Sequence, residues 1–452
     1  MKIAIIGAGA GGLAAAFDLL NWGHEVTLYE ASEQVGGLAA GFKEPQWEWS
    51  VEQYYHHWFA SDKYILSLIE ELGLSDKVLF QWPTTVVFHR ERFYPLDGPL
   101  SAIYPRMPWL DKLPGAGTLA RGVHLLRFPA LSLVEKARYA FAALYLLLVP
   151  SWKSFEKVTA YDWLGRWMGK RVLQSLWEPL LVGKFGPHYK NVNMAWFWAR
   201  VKARTPRLGT FEGGFQAFMD AFADHLKENG AEIKLGTPVL RIEETGDDQL
   251  RVETQKGSEI FDQCLVTSSP TILTRIVPTL PQDYLGRLQN LKSMGAVVLV
   301  LALRHRLSED GVYWHNLPKS AGFPFLAMVE HTNFLSPEYF GGDHIIYCGD
   351  YLEPDHEYFE FSKEQLLDLY LAALPRFNPA FKPDWVRKSW LFRTPYAQPV
   401  PPLNHSASIP DLKTPIAGLW FASMSQVYPW DRGTNFAVGI GRRAARRMVA
   451  EA

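Results

Sequence analysis

A chain of 452 residues, 48% apolar and 21% charged, can bury two or three domain-sized cores, which excludes disordered and fibrous classes. The formal net charge of −1 offers no long-range field toward nucleic acid or anionic lipid. Two cysteines, Cys264 and Cys348, supply neither a disulfide framework nor a thiolate zinc site.

The start, Met1-Lys2 followed by apolar residues, imitates a secretory leader, but Gly7, Gly9, Gly11 and Gly12 interrupt the run, so a cytoplasmic start is expected. Lys2 to Ile6 (KIAII) is short and β-branched, and GAGAGG then places Gly7, Gly9 and Gly12 in the spacing G-x-G-x-x-G. A helical LAAAFDLLNWG follows, and His24 to Glu30 (HEVTLYE) reads as a second strand closed by an acid about 20 positions beyond the glycines. This is a βαβ dinucleotide pattern. The first glycine permits the tight turn, the second lets the backbone approach a pyrophosphate, and the third lets helix and strand pack closely. The helix N-terminus turns free N–H groups and partial positive charge toward the phosphates. Glu30 is placed to accept hydrogen bonds from ribose hydroxyls.

Those glycines do not distinguish NAD from FAD. The segment Ala31 to Ala40, ASEQVGGLAA, adds a second pair, Gly36-Gly37, six residues after the acid. In this it resembles the extended flavin motif of the amine oxidase, protoporphyrinogen oxidase and phytoene desaturase superfamily, where that pair lies along the FAD pyrophosphate. The resemblance implies an α/β fold: a Rossmann-like, glutathione-reductase-type FAD domain with an interleaved mixed α+β substrate domain. Many members carry a basic residue after the pair or two before it; Leu38 and Gln34 hold those places here.

Ser50 to Phe59 (SVEQYYHHWF) sets His56 and His57 among aromatics. In the superfamily the chain here passes near the flavin ring, so a neutral imidazole could accept a proton near pH 7 or serve a structural hydrogen bond. On a strand the two would point to opposite faces, and no third metal ligand has recognisable spacing. No metal is expected.

Residues 61 to 204 read as largely helical and rich in tryptophan. The longest uncharged run, Tyr139 to Ser151 (YAFAALYLLLVPS), is too short to span a bilayer and reads as a core helix, a tunnel wall, or a peripheral membrane contact through 139 to 149. Lys184 and Phe185 in GKFG and Glu178 in WEPLL are weaker candidates: the lysine snorkels to solvent or holds a polar substrate end, and the acid is a helix-end partner or a pocket acid. A second βαβ visit is expected from about residue 208. Phe215, Phe218, Met219, Phe222 and Leu226 mark one helical face, two strands follow, and Val239 holds the place whose backbone touches the adenine end of FAD in the superfamily. Phe261 to Ser268 would return the chain to the sheet. The expected division is 1 to 60, 205 to 275 and 405 to 452 for the FAD domain, and 61 to 204 with 276 to 404 for the substrate domain.

Near the carboxyl end, WFASMSQVYPWDRGTNF breaks from a strand into a charged glycine turn and a final helix. The resemblance implies that this helix points its N-terminus at the flavin's pyrimidine edge, with Gly433, Thr434 and Asn435 at its start and Trp430 beside the ring. Asp431 and Arg432 could pair locally. Where many relatives carry an acid after Ala-Gly, this chain offers Ser425, a hydroxyl without charge.

No nucleophile elbow, P-loop or paired-carboxylate motif stands out, as suits an enzyme whose reactive atoms belong to its cofactor. The resemblance implies an FAD-dependent oxidoreductase that takes hydride from a C–H bond of an apolar, isoprenoid or porphyrinogen-like substrate. The alternatives are a UDP-galactopyranose mutase-like non-redox flavoenzyme, for which Arg304, Arg306, Arg376 and Arg393 are available, an amine oxidase, and a flavin-binding scaffold. Nucleic acid is not an expected partner, the location is cytoplasmic or membrane-associated, and oligomeric state is open.

Overall fold

The computed structural model describes residues 1–452. The β-branched strand Lys2–Ile6 lies at the centre of a five-stranded, all-parallel sheet in the order Glu232–Lys234, Glu25–Tyr29, Lys2–Ile6, Gln263–Val266, Leu419–Phe421. Ile3, Ala4 and Ile5 are fully buried, because both faces of a parallel sheet are covered. One face carries the helices Ala10–Asn21, Lys63–Glu71, Phe215–Glu228 and Thr434–Ala450. The other carries an antiparallel three-stranded sheet, Val239–Glu244, Leu250–Thr254 and Gly257–Phe261, together with Pro270–Ile276 and Gln282–Gln289.

The first helix, Ala10–Asn21, and the last, Thr434–Ala450, pack backbone to backbone. A Cβ on Gly441 would collide with the Gly11 carbonyl oxygen, and one on Gly12 would collide with that of Gly7. Only glycine permits these approaches.

A seven-stranded mixed sheet forms the second body, in the order Val386–Pro399, Ser293–Leu303, His344–Leu352, Ala327–Glu330, Trp314–Asn316, Thr85–His89, Arg92–Asp97. The near-continuous apolar run of Ser293–Leu303 is buried between two antiparallel neighbours. A helical layer from about residue 100 to 204 packs as a separate aromatic core around Trp163, Trp196, Phe197 and Phe185.

Several sequence expectations differ from this arrangement. The stretch read as helical from 61 contains the strands Val78–Gln81, Thr85–His89 and Arg92–Asp97, two of which form the edge of the large sheet. Leu208–Phe211 does not begin a second visit to the parallel sheet; it pairs with Trp58–Phe59 and Val78–Gln81 in a sheet of its own. The boundaries expected at 60 and 275 also differ from the packing, since Lys63–Glu71 lies on the last helix and Gln282–Gln289 beneath the first sheet. The apolar run falls in the helix Leu133–Leu148, which buries only Ala142 and Leu146, so it is not a core helix. No helix is long and apolar enough to cross a membrane.

Gly441→Ala should therefore lower stability by about 1–3 kcal/mol through overpacking. Gly286→Ala, where an added Cβ meets open space within the helix Gln282–Gln289, should raise it by about 0.5–1 kcal/mol. Denaturant unfolding of the two variants reads both signs.

Candidate active site

The glycine turns meet at the carboxyl end of the parallel sheet. Gly36 N–H donates to the Ala8 carbonyl at 2.9 Å, and Gly9 and Gly36 form a parallel bridge. Gly7, Gly36 and Gly37 all have positive φ, and a Cβ on Gly37 would stand 3.3 Å from the Gly9 Cα. The first helix starts at Gly9 with no side-chain cap and no acid in its first turn. Its free N–H groups are thus open to an anion. Glu30 stands at the end of the neighbouring strand, accepting from Ala8 N–H at 2.8 Å and from the Ser32 N–H and hydroxyl at 2.9 and 2.7 Å. The buried Ser268 hydroxyl, at the end of the strand on the other side, has no partner. These groups fit the pyrophosphate and ribose of a dinucleotide. Val239 is buried at the start of the antiparallel sheet beside this edge.

From the glycine pair the chain leads directly to an inner pocket. Leu38 lines it with Tyr54, Tyr55, His56, Val298 and Ala397, while Asp350, Tyr351 and Arg432 supply its polar wall. His56 and His57 sit in an irregular stretch before the short strand Trp58–Phe59, so the alternation expected of a strand does not apply. The structure nonetheless separates them. His56 Nδ1 contacts the Tyr54 carbonyl and the ring lines the pocket, whereas His57 lies edge-on to Phe59 and Trp314 with its Nδ1 unpartnered. Burial lowers His56 to about 4 and His57 to about 3, with Arg204 also acting on His57, so both rings are neutral at pH 7.

The carboxyl-terminal residues have different duties from those expected. Thr434 Oγ1 accepts from Trp58 Nε1 at 2.9 Å. Asn435 Oδ1 accepts from Tyr64 and Ile65 N–H at 2.8 and 3.1 Å, capping the helix Lys63–Glu71 from outside its own sequence. Both side chains are therefore committed to the fold, and only backbone groups at the start of the last helix remain free, after Gly433 and without a side-chain cap. Ser425 is buried against Tyr396, hydroxyl to hydroxyl at 2.7 Å. Trp430 stacks on Phe436, 5.7 Å between centroids, along a wider outer cleft of about 530 Å³ instead of the inner pocket.

Sequence reasoning missed a cluster of charge behind the pocket. Asp431 does not pair with the Arg432 guanidinium; its carboxylate accepts from Arg200 Nη1 at 2.8 Å, Trp196 Nε1 at 3.2 Å and the Arg432 backbone N–H at 3.1 Å, with Arg204 Nη2 at 3.6 Å. Arg432 Nε and Lys184 Nζ both donate to Gln398 Oε1, at 3.2 and 3.0 Å, and both cations lie over the Tyr351 ring. Lys184 thus turns inward and does not snorkel. Burial holds its pKa well below the ordinary lysine range. Burial would raise Asp431, but Lys184, Arg200 and Arg204 outweigh it and hold the carboxyl below its usual range. The legible signals were the paired charge at 431 and 432 and Lys184, read as snorkelling or holding a polar substrate end; the helix Met194–Ala203 and its continuation had to fold against them to reveal Arg200 and Arg204. Glu178 accepts from the Tyr189 hydroxyl at 3.2 Å, and Phe185 is packed on Trp196. Arg306 is engaged by Asn333, Arg376 covers Phe323, and Arg393 bonds the Phe361 carbonyl; neither these nor Arg304 line the inner pocket.

Comparison with known proteins gives the same architecture. The family model described as flavin containing amine oxidoreductase matches residues 10–449. A 15-cis-phytoene desaturase of Solanum lycopersicum is 23% identical over 303 residues, 63% of this chain and 48% of that one. The chain thus spans about half the length of the curated relatives it matches. A provisional protoporphyrinogen oxidase of Exiguobacterium sp. 255-15 superposes with a TM-score of 0.72 at 18% identity, covering 100% and 99% of the two chains. Reduced UDP-galactopyranose mutase gives 0.72 at 14% identity, covering 100% and 96%.

Because the fold holds both histidines neutral, their contribution to stability is full above the ordinary value of 6.5 and is lost as pH falls through that value toward 4. The double variant His56→Asn/His57→Phe should lose less stability than wild type between about pH 7 and about pH 5, read by denaturant unfolding.

Proposed function

The chain belongs to the family of flavin containing amine oxidoreductases, and from that premise we propose that it removes hydride from a C–H bond of a largely apolar organic substrate in the inner pocket. It is an oxidoreductase with FAD as cofactor. Bound FAD supplies the two-electron acceptor.

The observation that carries this reading is the continuity between the glycine turns and the pocket. Leu38, directly after Gly36-Gly37, is also a pocket wall, so a dinucleotide held at the sheet edge leads into the space between Tyr55, His56 and Val298. The residues there do three things. Leu38, Val298, Ala296 and Ala397 exclude water and match an apolar body. Tyr54 and Tyr55 orient it by aromatic contact, and burial pushes the Tyr55 hydroxyl up to about 12, so it stays a neutral hydrogen-bond group. His56, lowered to about 4, is a poor proton acceptor at pH 7 and acts by positioning; the hydride leaves with both electrons of its C–H bond, so that step consumes no base, and the proton then shed by the cationic product passes to solvent. His57 supports the wall from behind.

Mildly purified protein should carry FAD, read from its visible spectrum and the mass of the released cofactor. Anaerobic mixing with isoprenoid, porphyrinogen and primary-amine candidates should bleach the flavin with one of the first two. A colourless protein free of flavin overturns the proposal, as does turnover that requires prior reduction and leaves the flavin reduced. His56→Gln should cut the bleaching rate by about tenfold with little change in flavin content, the scale of one lost positioning hydrogen bond.

A further inference from the structure

We propose that the cluster of Lys184, Arg200, Arg204 and Arg432 is a subsite for an anionic terminus, carboxylate or phosphate, on the substrate; this rests on the functional reading above and narrows its substrate class. Of the four cationic side chains, Arg200 and Arg204 reach the single carboxylate of Asp431, which also accepts from Trp196 and the Arg432 backbone, while the Lys184 and Arg432 cations donate only to the neutral Gln398. The remaining acids are engaged elsewhere. Asp350, on the pocket wall, pairs with Lys319, and Asp62, near Arg204, accepts from Phe59 N–H at 2.8 Å.

The side chains of Arg200 and Asp431 are 10% and 14% exposed, so water screens that pair little, while Arg204 at the cluster's edge is partly open to solvent. Gln398, 1% exposed, offers a single oxygen to both Arg432 and Lys184, a neutral acceptor where a charged one would be better matched. Arg432 and Tyr351 stand on both sides of the boundary: they line the inner pocket and also contact the cluster. A molecule with its apolar part against Leu38 and Val298 would place its far end there. A plain hydrocarbon leaves those cations uncompensated, and an amine meets repulsion. An amphiphile with one anionic end satisfies both halves of the site.

The test uses flavin-loaded protein, in which the cofactor's own phosphate site is filled. It is titrated calorimetrically with inorganic pyrophosphate and with octanoate, which separate a phosphate from a carboxylate terminus. Saturable binding of either is expected. Arg200→Gln and Arg432→Gln should each weaken it by about ten- to hundredfold, the range for a lost charge-assisted bond, at unchanged flavin content. Arg204→Gln, at a guanidinium 38% exposed, guards against variants that fail to fold. No binding of either probe to wild type, or binding unaffected by all three substitutions, overturns the subsite. Loss of flavin in wild-type protein would instead fail the functional reading.

A different observation independently carries a second inference: we infer that the outer face of residues 104–148 docks on an anionic lipid bilayer. Leu133, Val134, Phe141 and Leu148 are 76%, 77%, 65% and 71% exposed, and Trp109 and Leu126 continue the patch at 57% and 61%. This segment carries six basic residues against two acidic ones in a chain whose net charge is −1. Arg106, Lys112 and Arg127 are exposed at its margin. Apolar side chains flanked by lysine and arginine match the boundary of an anionic membrane. Wild-type protein should sediment with phosphatidylglycerol–phosphatidylcholine vesicles and less with phosphatidylcholine alone. The variant Leu133→Gln/Val134→Gln/Phe141→Gln/Leu148→Gln, which alters only exposed side chains, should remain in the supernatant with its flavin intact. Failure of wild type to sediment with either vesicle overturns the inference. So does a concentration-dependent dimer that the variant loses, which would assign the face to a second copy.

Discussion

The approach of the first and last helices at Gly11 and Gly441 is the constraint on which the rest of the molecule depends. Two helices from opposite ends of the chain can come this close only without side chains between them. Their contact sets the final helix beside the dinucleotide turns and thereby fixes where the charged turn before it must lie. Arg442 reinforces the arrangement, reaching Asp18 on the first helix and Glu71 on a third at 2.8 and 2.7 Å. With those helices locked, Asn435 can cap Lys63–Glu71 and Thr434 can hold Trp58, so the start of the last helix becomes a structural junction.

From that junction the charge at Asp431 and Arg432 is carried into the aromatic helical layer. Removing an ion from water costs several kcal/mol, and one carboxylate cannot offset four nearby cations. Both groups are shifted downward with opposite consequences for charge: burial pushes the lysine toward neutrality, while Lys184, Arg200 and Arg204 overcome burial and hold the Asp431 carboxyl ionised. Such a region is unfavourable in an isolated protein and favourable around an anion. Its neighbours are neutral by the same physics, since burial among arginines leaves His56 and His57 uncharged beside the pocket.

Much of the nucleotide half was legible beforehand. Gly7, Gly9, Gly12, Glu30 and the pair Gly36-Gly37 occupy the places their spacing implied, because turns and helix starts are local and depend on residues a few positions apart. The apolar face from Phe215 to Leu226 is buried for the same reason. Less was legible where partners are remote. Thr434 and Asn435 looked like ligand contacts because they begin a helix, yet their hydrogen bonds go to Trp58, Tyr64 and Ile65. Tyr139 to Ser151 was open to a core helix, a tunnel wall or a membrane contact, because hydropathy does not say whether anything covers it.

What the sequence by itself determined is the parallel sheet, its glycine turns and the acid that closes them, since each follows from short-range backbone geometry and hydrophobic period. Only the tertiary structure decided which histidine faces the pocket, that Lys184 turns inward, and that Arg200, Arg204 and Arg432 gather about Asp431. Those outcomes depend on desolvation and on charges brought together from distant segments, and neither quantity exists until the chain has folded.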